Sequence, residues 1–124
     1  MQFSKLGQQT NSATKELETF ARPDNVTLVQ FETHELTALC PVTMQPDLYT
    51  VRIEYAPTTH CVETKSLKLY LWTFRDRGIF AESIAHEIAQ DIFDATRPAW
   101  CKVTAIQQVR GGIQTTVTAE VRNG

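Results

Sequence analysis

The sequence predicts an α+β domain in which an antiparallel sheet carries helices on one of its faces. Segments with apolar residues at every second position occur before and after a segment with apolar residues at every fourth position. A period of two is typical of half-buried strands, whereas recurrence every three to four residues is typical of a helix with one buried face. Strands, then a helix, then strands again is the element order of a sheet covered on one side.

The first half of the chain contains two predicted strands and one ambiguous segment. Val26 to Leu39 is rich in β-branched and aromatic residues, and Cys40-Pro41 interrupts it before a polar loop. Tyr49 to Tyr55 alternates between apolar and polar residues and indicates a second strand. The alternation from Leu67 to Leu71 fits either a strand or the first turns of a helix, so both interpretations stay open.

The second half contains the predicted helix and a hairpin. From Ile79, apolar residues recur every four positions, which indicates a helix that ends before Pro98. Two alternating segments then predict strands at Cys101 to Ile106 and Ile113 to Val121, and Arg110-Gly111-Gly112 is a hairpin connection between them. Residues 1–25 show little periodicity and are interpreted as an extended arm with at most one helical turn, which leads into a single domain at 26–124.

Composition narrows the class of protein. A chain of 124 residues fits one small domain, and small domains gain from forming oligomers. The net charge of -2 gives no reason to expect nucleic acid or an anionic membrane as partner. The polar amino terminus and three cysteines without CxxC spacing favour a reducing cytoplasm and free thiols. The three histidines show no HxxxH spacing, so no metal site is predicted.

Two residues near the first loop are candidates for catalysis. Cys40 stands between a strand and a loop, where a thiol can be partly exposed and ionise, although cysteine is also a common small core residue. Asp47 is close enough along the chain for its carboxyl group to return toward the sulfur as a general acid. An aspartate after proline is equally typical of a turn.

Charged residues further along the chain are candidates for binding. Lys65, Ser66 and Lys68 offer two ammonium groups and a hydroxyl for phosphates, although a solvated helix face explains the lysines as well. Glu82 falls in the first turn of the predicted helix, where the helix dipole favours a carboxylate, and it could also accept from the N–H groups of a guanine-like edge. There is no glycine-rich phosphate loop, so a nicotinamide cofactor would have to be bound by side chains.

Together these segments resemble the nitrile reductases that act on 7-cyano-7-deazaguanine with NADPH. The resemblance runs over roughly residues 26 to 122 and rests on the strings LTALCPVTMQPD, VRIEYAP and VETKSLKLYLWTFRDRG. Its most specific part is the motif Glu-x-Lys-Ser-hydrophobic-Lys-Leu-Tyr, complete here at residues 63–70. The resemblance implies the tunnelling fold, in which subunits pair into ring-shaped homo-oligomeric barrels, stacked pentamers among them, with active sites between subunits.

The resemblance also implies a role for each candidate residue. Cys40 adds to the nitrile carbon to give a thioimide, and Asp47 protonates the nitrile nitrogen. The residues implied to bind the substrate are Val62, Glu63, Thr64, Ala81 and Glu82. Those implied to bind the cofactor NADPH are Lys65, Ser66, Lys68 and Tyr70.

One position departs from the family pattern. The family usually has histidine before the glutamate at the head of the helix, and this chain has Ala81-Glu82. The departure predicts that covalent capture by Cys40 survives better than turnover does. Two other functions remain as alternatives: an amidine-forming relative that acts on a nitrile-bearing tRNA base without a redox step, and a deazapurine-binding protein without turnover.

Overall fold

The computed structural model describes residues 14–124 and has two sheets and two helices in this part of the chain. A four-stranded antiparallel sheet has the order β2-β3-β5-β6, and a two-stranded sheet joins β1 to β4. The elements along the chain are β1 (Thr19–Ala21), β2 (Val29–Leu39), β3 (Pro46–Tyr55), β4 (His60–Val62), α1 (Thr64–Trp72), α2 (Ala81–Thr96), β5 (Trp100–Arg110) and β6 (Ile113–Arg122). The predicted α+β class is confirmed.

The amino-terminal arm is partly built into the fold. Within residues 14–25 the regular element is β1, which pairs with β4 so that Phe20 faces Cys61. The short helical turn allowed for this arm is not found there, and its first 13 residues lie outside the described part. The two short strands, which the sequence analysis did not predict, hold the entry to α1 because Glu63 N–H donates to Glu18 C=O at 2.8 Å.

The ambiguous segment is a helix. Glu63 is the N-cap of α1, and its carboxylate accepts hydrogen bonds from two backbone N–H groups of the first turn. This capping satisfies donors that a helix start otherwise leaves without partners, which favours the helix over a strand. Leu67 and Tyr70, three residues apart, are buried on one side of α1, as a helical period requires.

The core lies between the large sheet and α2. Ile84, Ile88 and Ile92 of α2 are fully buried, as the four-residue spacing predicts, against Val103 and Ala105 of β5 and their neighbours. The helix ends at Arg97, which adopts a left-handed conformation (φ 48°) just before Pro98. The boundaries predicted for α2 are therefore correct to within two residues.

A β-bulge changes the direction of the side chains in β2. Thr33 pairs with Val51 but Leu36 pairs with Tyr49, so β2 contains one residue more than β3 across this interval. Before the bulge the odd-numbered residues Val29 and Phe31 pack against the core, and after it Leu36 and Ala38 are buried instead. The bulge thus exchanges the face to which odd and even positions point.

The β5–β6 hairpin closes with a two-residue turn. Arg110 pairs with Ile113, and Gly111 and Gly112 have φ values of 57° and 78°. Positive φ at both central residues defines a turn whose twist matches that of the strands, and glycine adopts it without strain.

Replacing Gly112 with alanine is expected to lower the free energy of unfolding by about 1 kcal/mol, because φ 78° is strained for a residue with a Cβ. The added Cβ meets nothing within 4 Å, so the loss would come from the backbone alone. Urea unfolding measures the change. Gly124→Ala is the control, since its φ of 79° lies at the chain end; equal stability of both variants would contradict the prediction.

Candidate functional site

The first group of candidate residues lies where β2 and β3 are joined. Ala38 faces Asp47 across the two strands, and Leu36 faces Tyr49, with all four side chains buried on the helix side of the sheet. Cys40 follows Ala38 by two residues on that side, close enough to Asp47 for the carboxylate to oppose ionisation of the thiol. The structure therefore brings the predicted nucleophile and the predicted acid together.

The loop between the strands surrounds the sulfur with hydrogen-bond donors. Cys40 N–H donates to Gln45 C=O at 2.9 Å and Met44 N–H donates to Cys40 C=O at 2.7 Å, which closes the loop tightly. The Thr43 hydroxyl, followed by the backbone N–H groups of Thr43 and Val42, lowers the pKa of the Cys40 thiol from its ordinary value. A lowered pKa increases the thiolate fraction at neutral pH, and the thiolate is the nucleophilic form.

The other two cysteines have the opposite environment. Cys61 and Cys101 are buried, with 3% and 0% of their surfaces exposed. Burial raises the pKa of both thiols, and that of Cys101 reaches about 12. Cys40 is consequently the most reactive of the three thiols.

The start of α2 is fixed beside Cys40 by backbone pairing. Leu39 N–H donates to Arg77 C=O at 2.8 Å and Ile79 N–H donates to Leu39 C=O at 3.0 Å. Gly78 lies between them, where a Cβ would be 3.3 Å from the Cα of Pro41, so the two segments approach as closely as a glycine permits. This pairing sets the position at which α2 begins with Ala81.

The first turn of α2 completes this group. Ala81 is buried and offers no polar side-chain atom, whereas Glu82 is exposed and directed to solvent at the helix start. Burial raises the pKa of Tyr49 to about 12, and the charges of Asp47, Glu82 and Cys40 add to that rise. All three charged groups thus lie within electrostatic range of one tyrosine hydroxyl.

Arg110 fixes the orientation of Asp47. The guanidinium comes from the carboxyl end of β5, with Nη2 3.4 Å from Oδ1 of Asp47, and it also donates to the C=O of Pro46. Asp47 itself is only 7% exposed. A buried carboxylate requires a partner of this kind, so Arg110 acts on the site through Asp47.

The second group of candidate residues surrounds the start of α1. The two carboxylate oxygens of Glu63 accept from the N–H of Lys65 at 2.7 Å and from that of Ser66 at 2.8 Å. The N–H of Val62 donates to the Tyr55 hydroxyl at 2.8 Å. Glu63 is only 9% exposed, and its carboxylate is ordered by these two hydrogen bonds.

Two predicted cofactor residues are used inside the protomer. The Ser66 hydroxyl donates to Glu63 C=O at 2.9 Å and accepts from Glu18 N–H at 3.0 Å, and it is fully buried. Tyr70, also buried, donates to Asp91 at 2.6 Å. Lys65 is half-buried, and Lys68 and Thr64 are exposed, so these three residues present the motif to solvent.

The two groups stand at opposite ends of the sheet. Val62 is bonded to Tyr55, the last residue of β3, whereas Asp47 is the second residue of that strand. Eight residues of strand span about 27 Å. The contacts of Glu63 within the protomer do not include Cys40, and the predicted site residues therefore fall into two groups, a Cys40 half-site and a Glu63 half-site.

A cavity of about 510 Å³ lies between α1 and the strands β2 and β3. Its size is typical of a small-molecule site. Lys68 and Arg75 contribute cationic groups to its lining, and Leu67, Leu71 and Trp72 contribute an apolar wall. Glu32 and Glu35 also line the cavity, so its charges are mixed, and the apolar wall is the feature that suits a flat ring.

Sequence reasoning missed three residues of the Cys40 half-site. Tyr49 could have been found, because alternation along β3 places it on the same face as Asp47. Thr43 depends on the conformation of a loop, and Arg110 depends on a contact 63 residues away from Asp47, so neither leaves a local signal.

Residues 14–124 contain neither a membrane-spanning helix nor a cluster of metal ligands. No helix in this range is long and apolar enough to cross a membrane. No three side chains of histidine, cysteine, aspartate or glutamate come together there as a metal cluster.

Replacing Thr43 with valine is expected to raise the pKa of Cys40, because it removes the hydrogen bond that lowers this pKa most. The rate of alkylation by iodoacetamide should then rise with pH at a higher midpoint, with a several-fold lower rate at pH 7. Intact-mass measurement follows the reaction, and Cys40→Ala identifies the background. Thr43→Ser keeps the hydroxyl and should behave as wild type; an unshifted midpoint in Thr43→Val would contradict the assignment.

Comparisons with known proteins agree with the resemblance found in the sequence. The family model described as "QueF-like protein" matches residues 46–123. The NADPH-dependent 7-cyano-7-deazaguanine reductase of Alkalilimnicola ehrlichii is 51% identical over 111 residues, which cover 88% of this chain and 86% of that protein. The protein of the same name from Anaeromyxobacter sp. (strain Fw109-5) is 49% identical over 107 residues, which cover 85% of this chain and 88% of that protein.

A solved structure has the same fold. The crystal structure of the archaeosine synthase QueF-Like in the apo form superposes with a TM-score of 0.71 at 26% identity, and the match covers 76% of this chain and 92% of that one. The α+β architecture agrees with the tunnelling fold that the sequence implied. With the family model matched over most of the domain and relatives near 50% identity, the chain belongs to the QueF-like protein family.

Proposed function

We propose that this protein is an NADPH-dependent reductase of 7-cyano-7-deazaguanine (preQ0), which it converts to 7-aminomethyl-7-deazaguanine (preQ1) in tRNA queuosine biosynthesis. The observation that carries the proposal is the pairing of Cys40, whose thiol pKa is lowered, with the buried Asp47, in a chain 51% identical to a reductase of this name. A nucleophile beside a held carboxyl group is what addition to a nitrile requires.

The residues of the Cys40 half-site perform the covalent step. The Cys40 sulfur attacks the nitrile carbon, and the electron pair released from the triple bond moves to nitrogen. Asp47 takes the proton that the Cys40 thiol loses and passes it to this nitrogen, which gives a neutral thioimide. Arg110 keeps the Asp47 carboxyl group in position, and the Thr43 hydroxyl favours the thiolate before attack.

The residues around α1 fit an NADPH molecule. Lys65 and Lys68 lie three residues apart on the helix and therefore share one side of it, where they can meet phosphates as point charges. The adjoining cavity has an apolar wall and is lined by Lys68 and Arg75 as well as by Glu32 and Glu35. When bound, NADPH supplies the hydride for reduction of the nitrile-derived carbon. Ser66 and Tyr70 support this side of the site by holding α1 in place, since their hydroxyls are already bonded within the protomer.

The separation of the two half-sites supports a site shared between subunits. Glu63, with the neighbouring backbone of Val62 and Thr64, offers acceptors for a deazapurine, as does Glu82 beside Cys40. Because about 27 Å of β3 separates Asp47 from Tyr55, whose hydroxyl Val62 contacts, Glu63 would reach the Cys40 half-site from another copy of the chain. Apart from the pairing of Leu39 with residues 77–79, the outer edges of β2 and β6 have no neighbouring strand in the described protomer, so they can pair between copies and close a ring.

The amidine-forming alternative is less well supported. The archaeosine synthase structure shares the fold at 26% identity, whereas the named reductases share 49% and 51%. The complete motif at residues 63–70 also presents two lysines that a reaction without NADPH does not require. Binding without turnover would follow if turnover needs a side-chain group that Ala81 lacks. NADPH consumption distinguishes both alternatives from the reductase.

In the presence of 7-cyano-7-deazaguanine the wild-type protein is expected to form a covalent adduct, seen by intact mass and thioimide absorbance, and then to oxidise NADPH. Cys40→Ala should form no adduct and lose NADPH oxidation by at least about a thousandfold, since it lacks the nucleophile. Cys61→Ala is the matched control, because that thiol is buried away from the loop and should leave the adduct intact. An adduct in Cys40→Ala would refute the assignment.

Mixing two inactive variants is expected to restore activity if the site is shared. Cys40→Ala and Glu63→Gln each damage a different half-site, so subunit exchange should create some sites with both wild-type residues, about a quarter of them for random assembly. Steady-state NADPH oxidation measures the recovery. A mixture of Cys40→Ala with Cys40→Ser should recover no NADPH oxidation, because both variants damage the same half-site. No recovery in the mixture of Cys40→Ala with Glu63→Gln would contradict a site shared between subunits.

A further inference from the structure

The hydroxyl of Tyr49 has no hydrogen-bond partner in the described part of the chain. The residue is only 2% exposed, and its hydroxyl oxygen is buried. The two other buried tyrosines differ: the Tyr55 hydroxyl accepts from Val62 N–H, and the Tyr70 hydroxyl donates to Asp91. A buried polar group without a partner is rare in native proteins, and a bound ligand is one group that can satisfy it.

The position of Tyr49 limits what this group can be. Tyr49 and Asp47 are alternate residues of β3 and lie on the same side of the sheet, and Leu36 and Ala38 opposite them offer no polar side-chain atom. Ala81, at the adjoining start of α2, offers none either. The charges that act on the tyrosine are those of Asp47, Glu82 and Cys40, with Arg110 opposing them. The hydroxyl is therefore buried within electrostatic range of the charged groups of the Cys40 half-site.

The protonation state decides how the hydroxyl can act. Burial and the neighbouring negative charges raise the pKa of Tyr49 to about 12, so the hydroxyl keeps its proton at neutral pH. It is then available as a hydrogen-bond donor, but it is a much weaker acid than an aspartic acid. Proton transfer accordingly stays with Asp47.

We propose that Tyr49 is a further catalytic residue of this site, whose hydroxyl donates a hydrogen bond to the nitrile-derived nitrogen while the Cys40 sulfur adds to the nitrile carbon. In this step the S–C bond forms, one π bond of the nitrile breaks, and its electron pair moves to nitrogen. Asp47 delivers to nitrogen the proton that it has taken from the Cys40 thiol and so returns to the carboxylate that Arg110 holds, and Tyr49 keeps its own proton. The proposal rests on the function proposed above.

The donor acts on the charge that develops at nitrogen. A fixed donor in a buried site stabilises such charge more than water does, because it needs no reorganisation during the reaction. The ring of Tyr49 is held by the core of the sheet, so the hydroxyl is in place before the substrate binds. Its effect is consequently expected on the rate of addition and not on the affinity for substrate.

The test is the rate of adduct formation by Tyr49→Phe with 7-cyano-7-deazaguanine in the absence of NADPH, followed by intact mass. The variant keeps the ring and removes the hydroxyl. Its limiting rate is expected to fall by about 100-fold with the half-saturating concentration of substrate nearly unchanged, as for loss of one donor to a developing charge. Its melting temperature should be no lower than that of the wild type, because no hydrogen bond within the protomer is lost.

Tyr55→Phe is the control for a tyrosine hydroxyl with a structural role. It should lower the melting temperature, because Val62 N–H loses its acceptor. A wild-type rate of addition in Tyr49→Phe, a loss confined to substrate affinity, or a fall in melting temperature as large as that of Tyr55→Phe would each overturn the proposal. If the wild-type protein itself forms no adduct, the reductase function fails first, and that result is separate from any effect at Tyr49.

Discussion

The β-bulge in β2 is the constraint on which the Cys40 half-site depends. Without the extra residue between Thr33 and Leu36, the odd positions would continue to face the core and Cys40 would point to the other side of the sheet. With it, Leu36, Ala38 and Cys40 follow one another on the side where Asp47 and α2 lie. A single inserted residue thus lets both ends of β2 pack against the core and directs the Cys40 thiol to the side of the sheet where Asp47 lies.

The remaining parts of the half-site are attached to this strand by hydrogen bonds. The backbone pairing of Leu39 with residues 77–79 sets where α2 begins, and hence where Glu82 lies. On the other side, Arg110 reaches Asp47 and the C=O of Pro46 from the end of β5. Segments around Leu39, residues 77–79 and Arg110 therefore meet at the end of the β2–β3 hairpin. The strands fix the position of the loop that holds the candidate residues.

The sequence predicts the elements better than the contacts between them. Periodicity is a local property, so the helix at Ala81–Thr96 and the strands around it could be found from spacing alone. The helix at Thr64–Trp72 could not, since its apolar residues alternate and its start depends on capping by Glu63, a residue type that seldom caps helices. β1 and β4 have three residues each, too few for any periodic signal.

The candidate site follows the same division. Cys40 and Asp47 are close in sequence, and a loop of a few residues brings them together as predicted. The bulge that orients them leaves no signal, because Val26 to Leu39 is apolar at both odd and even positions. The distance between Glu63 and Cys40 is likewise invisible in a motif, which records residue types and not the length of sheet between them. The roles of these residues in binding stay predictions.

The capping role of Glu63 has a consequence for recognition. Both carboxylate oxygens are held by backbone N–H groups, so the side chain has already lost its rotational freedom when the domain folds. A ligand that bonds to the remaining lone pairs meets an ordered acceptor and does not bear that entropic cost on binding. If Glu63 binds the substrate as proposed, a replacement at this position changes helix stability and affinity together, because one carboxylate performs both roles.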